Sequence, residues 1–359
     1  MQTQRRELNF NGQNIFTGID VHLKSWTVSI YTEKLFHKKF TQPPSAKVLH
    51  DYLERNFPNA TYYSVYEAGF SGFWAHYDLM ELGINNIVVN AADVPTSQKE
   101  KLHKDDKVDS MKLGRSLRNG ELNPIYIPQL ATLNERSLVR IRASIVKDMT
   151  RLKLQIKSFL YFYGLNYPPQ FENRNTHWSN RFMKWLKEDI KFAYSEGQEA
   201  YNLLIRKAEE QRALLLEATR KVRDLSRTEK YAHNMKLLRL IPGIGPITAI
   251  TLLTEIVDVK RFKDTDHLAS FVGLIPGRHS SGEKDKNTEM TFRGHDFIKR
   301  TLIESSWIAA RYDPSLNMAY HKYAQRMEPN QAIIRIARKL LNRIYFVLTK
   351  QQEYVTGIV

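Results

Sequence analysis

Apolar and polar residues alternate over NIFTGID (14–20) and WTVSIYT (26–32), and less strictly over KLFHKKF (34–40). That period of two predicts three successive strands joined by tight turns. SAKVLHDYLERNF (45–57) switches to helical spacing, TYYSVYE (61–67) is another strand, and SGFWAHYDLMELG is a helix ending at Gly83. NIVVN (86–90) is a short buried strand, followed by a polar loop and the basic stretch KVDSMKLGRSLRNG. Three antiparallel-looking strands and then β-α-β-α units predict a mixed sheet flanked by helices. This α/β domain is expected to span residues 1–128.

Beyond Pro128 the period changes. From Gln129 to Leu165, the apolar Leu138, Ile141, Ile145, Leu152, Ile156 and Phe159 recur at three, four and seven, the signature of a helix with one sticky seam. Arg136, Arg140, Arg142, Lys147, Arg151, Lys153 and Lys157 outnumber Glu135 and Asp148, so its outer face should be positive. NYPPQFENRNTHWSN breaks the pattern. A second long helix then spaces Ala208, Gln211, Leu215, Ala218, Val222 and Leu225 in threes and fours. The pair forms either a hairpin within one chain or a coiled coil between subunits, expected as a linker over 129–234. From 235 to 359 the chain reads as helical with short Gly and Pro breaks, closing on the amphipathic, basic AIIRIARKLLNRIYFVLTK.

Charge narrows the partners. Among the 359 residues, 54 Lys and Arg face 38 Asp and Glu, a net charge of +16. Such a surface gains counterion-release free energy on meeting a polyanion, which favours nucleic acid over an acidic membrane. Some of the 17 Phe, 18 Tyr and 5 Trp could stack on bases. No cysteine is present, which excludes disulfides and thiolate metal sites. The start, MQTQRRELNFNGQ, lacks the apolar stretch of a secretory signal, and no run of about 18 apolar residues occurs. A soluble, cytoplasmic protein without a membrane partner is expected.

Four acids suggest chemistry. Asp20 and Glu67 each end a strand of apolar residues, in FTGID and SVYEAGF, where a carboxylate is accessible yet rigidly held. Asp106 and Asp109 lie three apart in HKDDKVDS, on one face if that segment is helical. Converging, the four could hold one or two Mg²⁺ ions (or Mn²⁺) against the attacking and leaving oxygens of a phosphodiester. Lys101, Lys104, Lys107, Lys112, Arg115 and Arg118 surround the second pair, as phosphate contacts would. Scattered surface acids are the plainer alternative.

Two features lie further on. In LIPGIGPITAITLLTEI (240–256), Gly243 and Gly245 make a turn before a new helix. Glycines let a backbone approach a phosphate closely, so the segment resembles a helix-hairpin-helix motif, with a plain inter-helix turn as the alternative. GRHSSGEKDK comes next as a polar loop with two serines, beside the charges of Arg278, His279, Lys284, Arg293, Lys299 and Arg300. A serine hydroxyl needs such charge, a base or a metal to become a nucleophile, and no G-x-S-x-G elbow is present.

GID, YEAGF, KDDKVDS, IPGIGPITA and GLIPGRHSSGEK…FRG occur in one order along the chain. This ordered set resembles the DEDD transposases of the "IS one-ten" insertion-sequence family, related to Piv-type DNA invertases, over roughly 15–120 and 235–310. The resemblance implies a RuvC-like (RNase H-like) domain, a long helical coiled-coil linker and a helical C-terminal transposase domain. Asp20, Glu67, Asp106 and Asp109 would then be the metal-binding tetrad. Ser281, directly before the glycine, would attack DNA and form a phosphoserine, with metal supplied by the other domain. The resemblance further implies donor and target DNA, a noncoding bridge RNA, a dimer or tetramer through the coiled coil, and a bacterial or archaeal, nucleoid-associated setting. Lys104, Lys112, Arg115, Gly243, Gly245, Arg278, Lys284 and Arg293 are the expected nucleic-acid contacts. The sequence departs from the family's pattern at Asp105, an extra acid, and at Glu283, Asp285 and Glu289, which dilute a usually basic tract. A junction-resolving nuclease using the same acids with water as nucleophile stays open, as does a non-enzymatic nucleic-acid scaffold.

Overall fold

The computed structural model describes residues 9–95, 106–281, 284–291 and 293–357. Lys104 and Asp105 lie outside them. The chain divides into two compact units, 1–127 and 128–359.

The first unit is built on a five-stranded sheet. Strands β1 (Asn14–Val21), β2 (Trp26–Thr32) and β3 (Phe36–Gln42) pair antiparallel, while β4 (Thr61–Glu67) and β5 (Asn85–Val89) add on parallel, giving the order β3-β2-β1-β4-β5. A mixed sheet in this order is consistent with an RNase H-like domain. The third strand sits two residues later than the sequence pattern suggests, with a register shift between Ile30 and Tyr31.

The two faces of the sheet are covered differently. Ile15, Ile19, Val28, Ile30, Tyr62 and Tyr66 pack against α1 (Ala46–Asn56) and α2 (Trp74–Glu81). The first of these helices starts where Ser45 caps it, accepting the Val48 amide. The opposite face carries the basic stretch, folded as α3 (Asp106–Arg118). Leu113 packs there with Val65, Val89 and Val94.

The second unit opens on α4 (Leu130–Phe162), followed by short α5 (Asn180–Glu188) and α6 (Ser195–Ser226). Contacts fix the two long helices as antiparallel: Lys230, just beyond α6, bonds to Thr132, Arg142 to Thr219, Gln211 to Ile145, and Phe159 meets Tyr201. The seam of α4 differs from its predicted line. Ile145, Met149, Leu152, Ile156 and Leu160 are buried, whereas Ile141 is 54% exposed. A spacing of three to four allows adjacent stripes, and only the partner helix selects one. At the far end, Phe171, Phe182, Trp185, Leu186, Tyr201 and Ile205 form a core of their own.

At the near end the long pair merges with the C-terminal helices. Val139 and Val222 belong to the large core of α7 (Glu229–Arg239), α8 (Pro246–Ile256), α9 (Thr265–Val272), α10 (Asp296–Tyr312), α11 (Pro314–Ala324) and α12 (Pro329–Lys350). Residues 128–234 and 235–359 therefore share one unit. The basic closing helix α12 is amphipathic toward this core, burying Ile333, Ile336, Ala337, Leu340, Leu341 and Ile344. The region is not wholly helical. Between α9 and α10 stand two antiparallel strands, β6 (Pro276–Ser281) and β7 (Lys284–Met290), where the sequence suggests a loop. Among the described residues no helix is long and apolar enough to cross a membrane.

Candidate active site

Asp20 and Glu67 are placed by strand pairing. Gly18 lies beside Val65 and Ile19 beside Tyr66 in the parallel ladder, so Asp20 and Glu67 come in step at the ends of adjacent strands. Side chains alternate along a strand, so Gly18 and Asp20 share a face, as do Val65 and Glu67. That face is the one α3 covers. Asp109, half-buried in the first turns of α3, stands on the same side of the sheet. Asp106 is the first residue of that helix, one turn earlier.

Glycine makes this close packing possible. A Cβ at Gly18 would lie 2.0 Å from the Ser110 carbonyl oxygen and 2.3 Å from the Gly114 nitrogen. A Cβ at Gly114 would meet the Tyr31 ring at 2.9 Å. Backbone thus rests on backbone, and polar bonds fix the sliding position. The buried hydroxyls of Ser29 and Ser110 bond at 2.8 Å, and the Tyr31 hydroxyl donates to the Met111 carbonyl at 3.0 Å. Asp109 is held by its neighbour Ser110 and has little freedom to drift along the sheet.

His22 joins the acids. Its Nε2 lies 3.1 Å from Asp20 Oδ2, and the Asp20 side chain is only 20% exposed. The spacing Asp-x-His at a strand end signals this contact, but the two-residue step is too common to single out. Among the described residues, no group of three or more His, Asp or Glu side chains is placed to hold a metal ion. The donors do suit one chemically: Asp20, Glu67 and Asp109 offer anionic oxygen, the ligand type of hard cations such as Mg²⁺ and Mn²⁺.

The expected nucleic-acid contacts separate. Arg115 is exposed on α3, whereas Lys112 is only 8% exposed. Gly243, at φ +89°, leaves no room for a Cβ, which would come 2.4 Å from the Ser305 carbonyl oxygen on α10. Its need for glycine thus arises inside the protein. Gly245 caps α8 with nothing within 4 Å of a Cβ, so its surface is open. Arg278 lies on β6, Lys284 opens β7, and Arg293 is exposed in the loop before α10. Ser281 ends β6 opposite Lys284, and Ser280 stands opposite Asp285, which puts both serines at the tip of the hairpin.

A cluster with no signal in the sequence lies in the second unit. Glu255, 1% exposed on α8, receives Arg140 Nε at 2.7 Å and Nη2 at 2.8 Å, Arg136 Nε at 3.2 Å and His295 Nε2 at 3.0 Å. Burial by itself would raise this carboxyl. The hydrogen bonds from His295 and Arg140 and the charges of Arg140 and Arg136 outweigh it and hold the group at about 2. Arg136, expected on the outer positive face of α4, is largely buried against this acid, and Arg140, though 53% exposed, reaches it with its guanidinium. No local spacing links residues over 100 positions apart, so the sequence alone could not pair them.

Comparison with known proteins is decisive for the family. Residues 17–164 match the transposase family DEDD_Tnp_IS110, and residues 235–321 match Transposase_20, the transposase IS116/IS110/IS902 family. The chain belongs to the IS110 family of transposases. Such a transposase is an enzyme of DNA transposition or recombination, with DNA as its partner. A putative transposase of Sinorhizobium fredii is 27% identical to this transposase over 282 residues, 79% of this chain and 66% of that protein. The transposase for insertion sequence element IS1111A of Coxiella burnetii is 23% identical over 268 residues, 72% of this chain and 70% of that protein. The pilin gene-inverting protein of Moraxella bovis is 35% identical over 135 residues, 35% of this chain and 40% of that protein. That last similarity accords with the relation to DNA invertases.

Proposed function

We propose that this transposase cuts and rejoins DNA at the ends of an insertion sequence through a serine–phosphate intermediate, using a divalent metal held by Asp20, Glu67, Asp106 and Asp109. The observation that carries the reading is the in-step ending of β1 and β4, which sets Asp20 and Glu67 side by side on the face that α3 covers. DEDD-family membership supports divalent-metal dependence, and the oxygen-only donor set suits Mg²⁺. When bound, the ion supplies positive charge to a phosphoryl group under attack.

In the proposed step Ser281 Oγ attacks the phosphorus of a DNA phosphodiester. One Oγ–P bond forms and one ester P–O bond breaks. The hydroxyl proton leaves to a base or solvent, and the departing deoxyribose oxygen takes one up. Attack by the hydroxyl of another DNA end reverses these changes and frees the serine. The ester conserves the energy of the broken bond, so rejoining needs no nucleotide cofactor. The positions of the serines at the tip of a two-stranded hairpin support access to a large substrate. The net charge of +16 supports extended nucleic-acid contact, and a noncoding bridge RNA is proposed as a second partner on that ground and on family resemblance. Self-association through the α4–α6 pair is proposed likewise. On family resemblance, the protein is proposed to act on DNA in a bacterial or archaeal cytoplasm.

A denaturing gel of the full chain incubated with Mg²⁺ and cognate end DNA tests the reading. It should show a protein–DNA adduct that disappears in Ser281→Ala and Asp20→Asn and survives in Ser280→Ala. Cleavage without adduct that persists in Ser281→Ala would instead establish water as the nucleophile.

A further inference from the structure

The hairpin that carries Ser280 and Ser281 is held at its base, and one of the holding residues, His295, also reaches the buried Glu255. His295 N donates to the Phe271 carbonyl at 2.8 Å, tying the exit of the hairpin back to α9, which precedes it. Thr291 N donates to the Ile275 carbonyl at 3.2 Å. Between these bonds the two chain segments cross at Gly273 and Gly294, so closely that a Cβ on Gly294 would lie 2.5 Å from Gly273 Cα. Both glycines have positive φ, +82° and +130°, which side chains other than glycine rarely tolerate.

The His295 ring faces two ways. A backbone N–H can only donate, so the contact of Ile298 N with His295 Nδ1 at 3.3 Å makes Nδ1 the acceptor. The ring proton then sits on Nε2, which donates to Glu255 Oε2 at 3.0 Å. One ring thereby caps α10 and reaches the buried carboxylate of α8. That carboxylate is itself gripped by Arg136 and Arg140 of α4, and Arg136 Nε also donates to the Thr254 carbonyl at 3.1 Å. Directly beyond, Val257 has φ +64°, a conformation costly for a β-branched residue. Strain of this kind persists where surrounding contacts over-determine the backbone, and here they fix where Glu255 points.

We propose that Glu255 and His295 form a positioning pair that fixes the base of the serine-bearing hairpin to α4. Strand cleavage by the serine then depends on a contact the serine does not make. This rests on the reading of Ser281 as nucleophile. The chemistry requires an attacking oxygen held in line with the scissile bond, and a hairpin tip amplifies any tilt at its base. The pair also gives α4 a direct mechanical route to the hairpin.

The test uses the full-length protein carrying His295→Asn. Asparagine keeps a side-chain oxygen for the Ile298 amide, so α10 remains capped and the fold survives, but its amide is too short to replace the imidazole at Glu255. Adduct formation should fall by about 100-fold, as expected for a misplaced reacting group. Affinity for end DNA, read by mobility shift, should be unchanged, and hydrogen exchange at the Thr291 and His295 amides should quicken. Glu255→Gln, which keeps an acceptor for Nε2–H, should restore adduct formation relative to Glu255→Ala. Adduct formation at the original rate in His295→Asn overturns the proposal. A loss of adduct matched by an equal loss of DNA affinity does so too, because that is the signature of a merely structural role. Absence of adduct in the unaltered protein is a failure of the serine reading instead; the exchange rates then decide the clamp by themselves.

Discussion

Gly18 on β1 and Gly114 on α3 meet backbone to backbone, an approach possible only because neither carries a Cβ. The contact lies two residues from Asp20 and five from Asp109, so it sets the separation of the acids. Gly18→Ala is expected to destabilise the first unit toward the upper end of the ~1–3 kcal/mol typical of overpacking, because the atoms met are main chain and cannot swing away. Urea denaturation measures this. Metal-dependent DNA cleavage should fall further than the loss of folded protein explains. Cleavage at the original level would show that α3 does not position the site.

Gly243 and Gly245 should respond oppositely to alanine. At Gly243 the left-handed backbone costs about 1 kcal/mol for any side chain, and the Ser305 carbonyl adds a main-chain clash. A fall in melting temperature of several degrees is expected. Gly245 has φ −79° and open space, so Gly245→Ala should leave stability almost unaltered. If the turn before α8 grips a DNA backbone, Gly245→Ala weakens DNA affinity without that stability loss. Equal melting shifts in the two variants would contradict the structural account.

Acid should reveal the Glu255 cluster. The carboxyl is lowered from its ordinary 4.5 to about 2, so folding makes it a stronger acid. Such a group stabilises the fold above its unfolded pKa, and the contribution disappears as pH falls from about 4.5 toward 2. On the order of 3 kcal/mol is at stake at neutral pH. Glu255→Gln should therefore be clearly less stable than the unaltered protein at pH 7 and approach it only as pH falls to ~2. Denaturation curves across that range check it; a constant difference would mean the carboxylate is not charged in the folded protein.

Arg115 is exposed where Lys112 is not, and DNA should register the difference. Arg115→Ala is expected to lower affinity for all sequences alike and to reduce the slope of log affinity against log salt by about 1, as one lost phosphate contact does. Titrations at several salt concentrations give the slope. An unaltered slope removes Arg115 from the interface.

Local pattern carried most of the first unit. Strands β1, β2 and β4 fall where the sequence puts them, because short runs of β-branched and aromatic residues bounded by turns suit a pleated sheet packed on both faces. The serine hairpin was less legible, since PGRHSS and KDKNTEM lack the apolar alternation of a strand packed on a core. The same applies to the seam of α4, where Met149 replaces Ile141. Several stripes of a long helix are apolar enough, and its partner chooses.

What the sequence by itself determined is the set of elements and the candidate chemistry, because strand alternation, helical spacing and ordered motifs are properties of neighbours along the chain. It placed Asp20 and Glu67 at strand ends and the serines beside charge. Tertiary structure alone decided which acids share a face, that Arg136 and Arg140 both reach the buried Glu255, and that His295 spans α8 and α10. Those relations join residues far apart in sequence, and burial and hydrogen-bond geometry, which select them, exist only once the chain has folded.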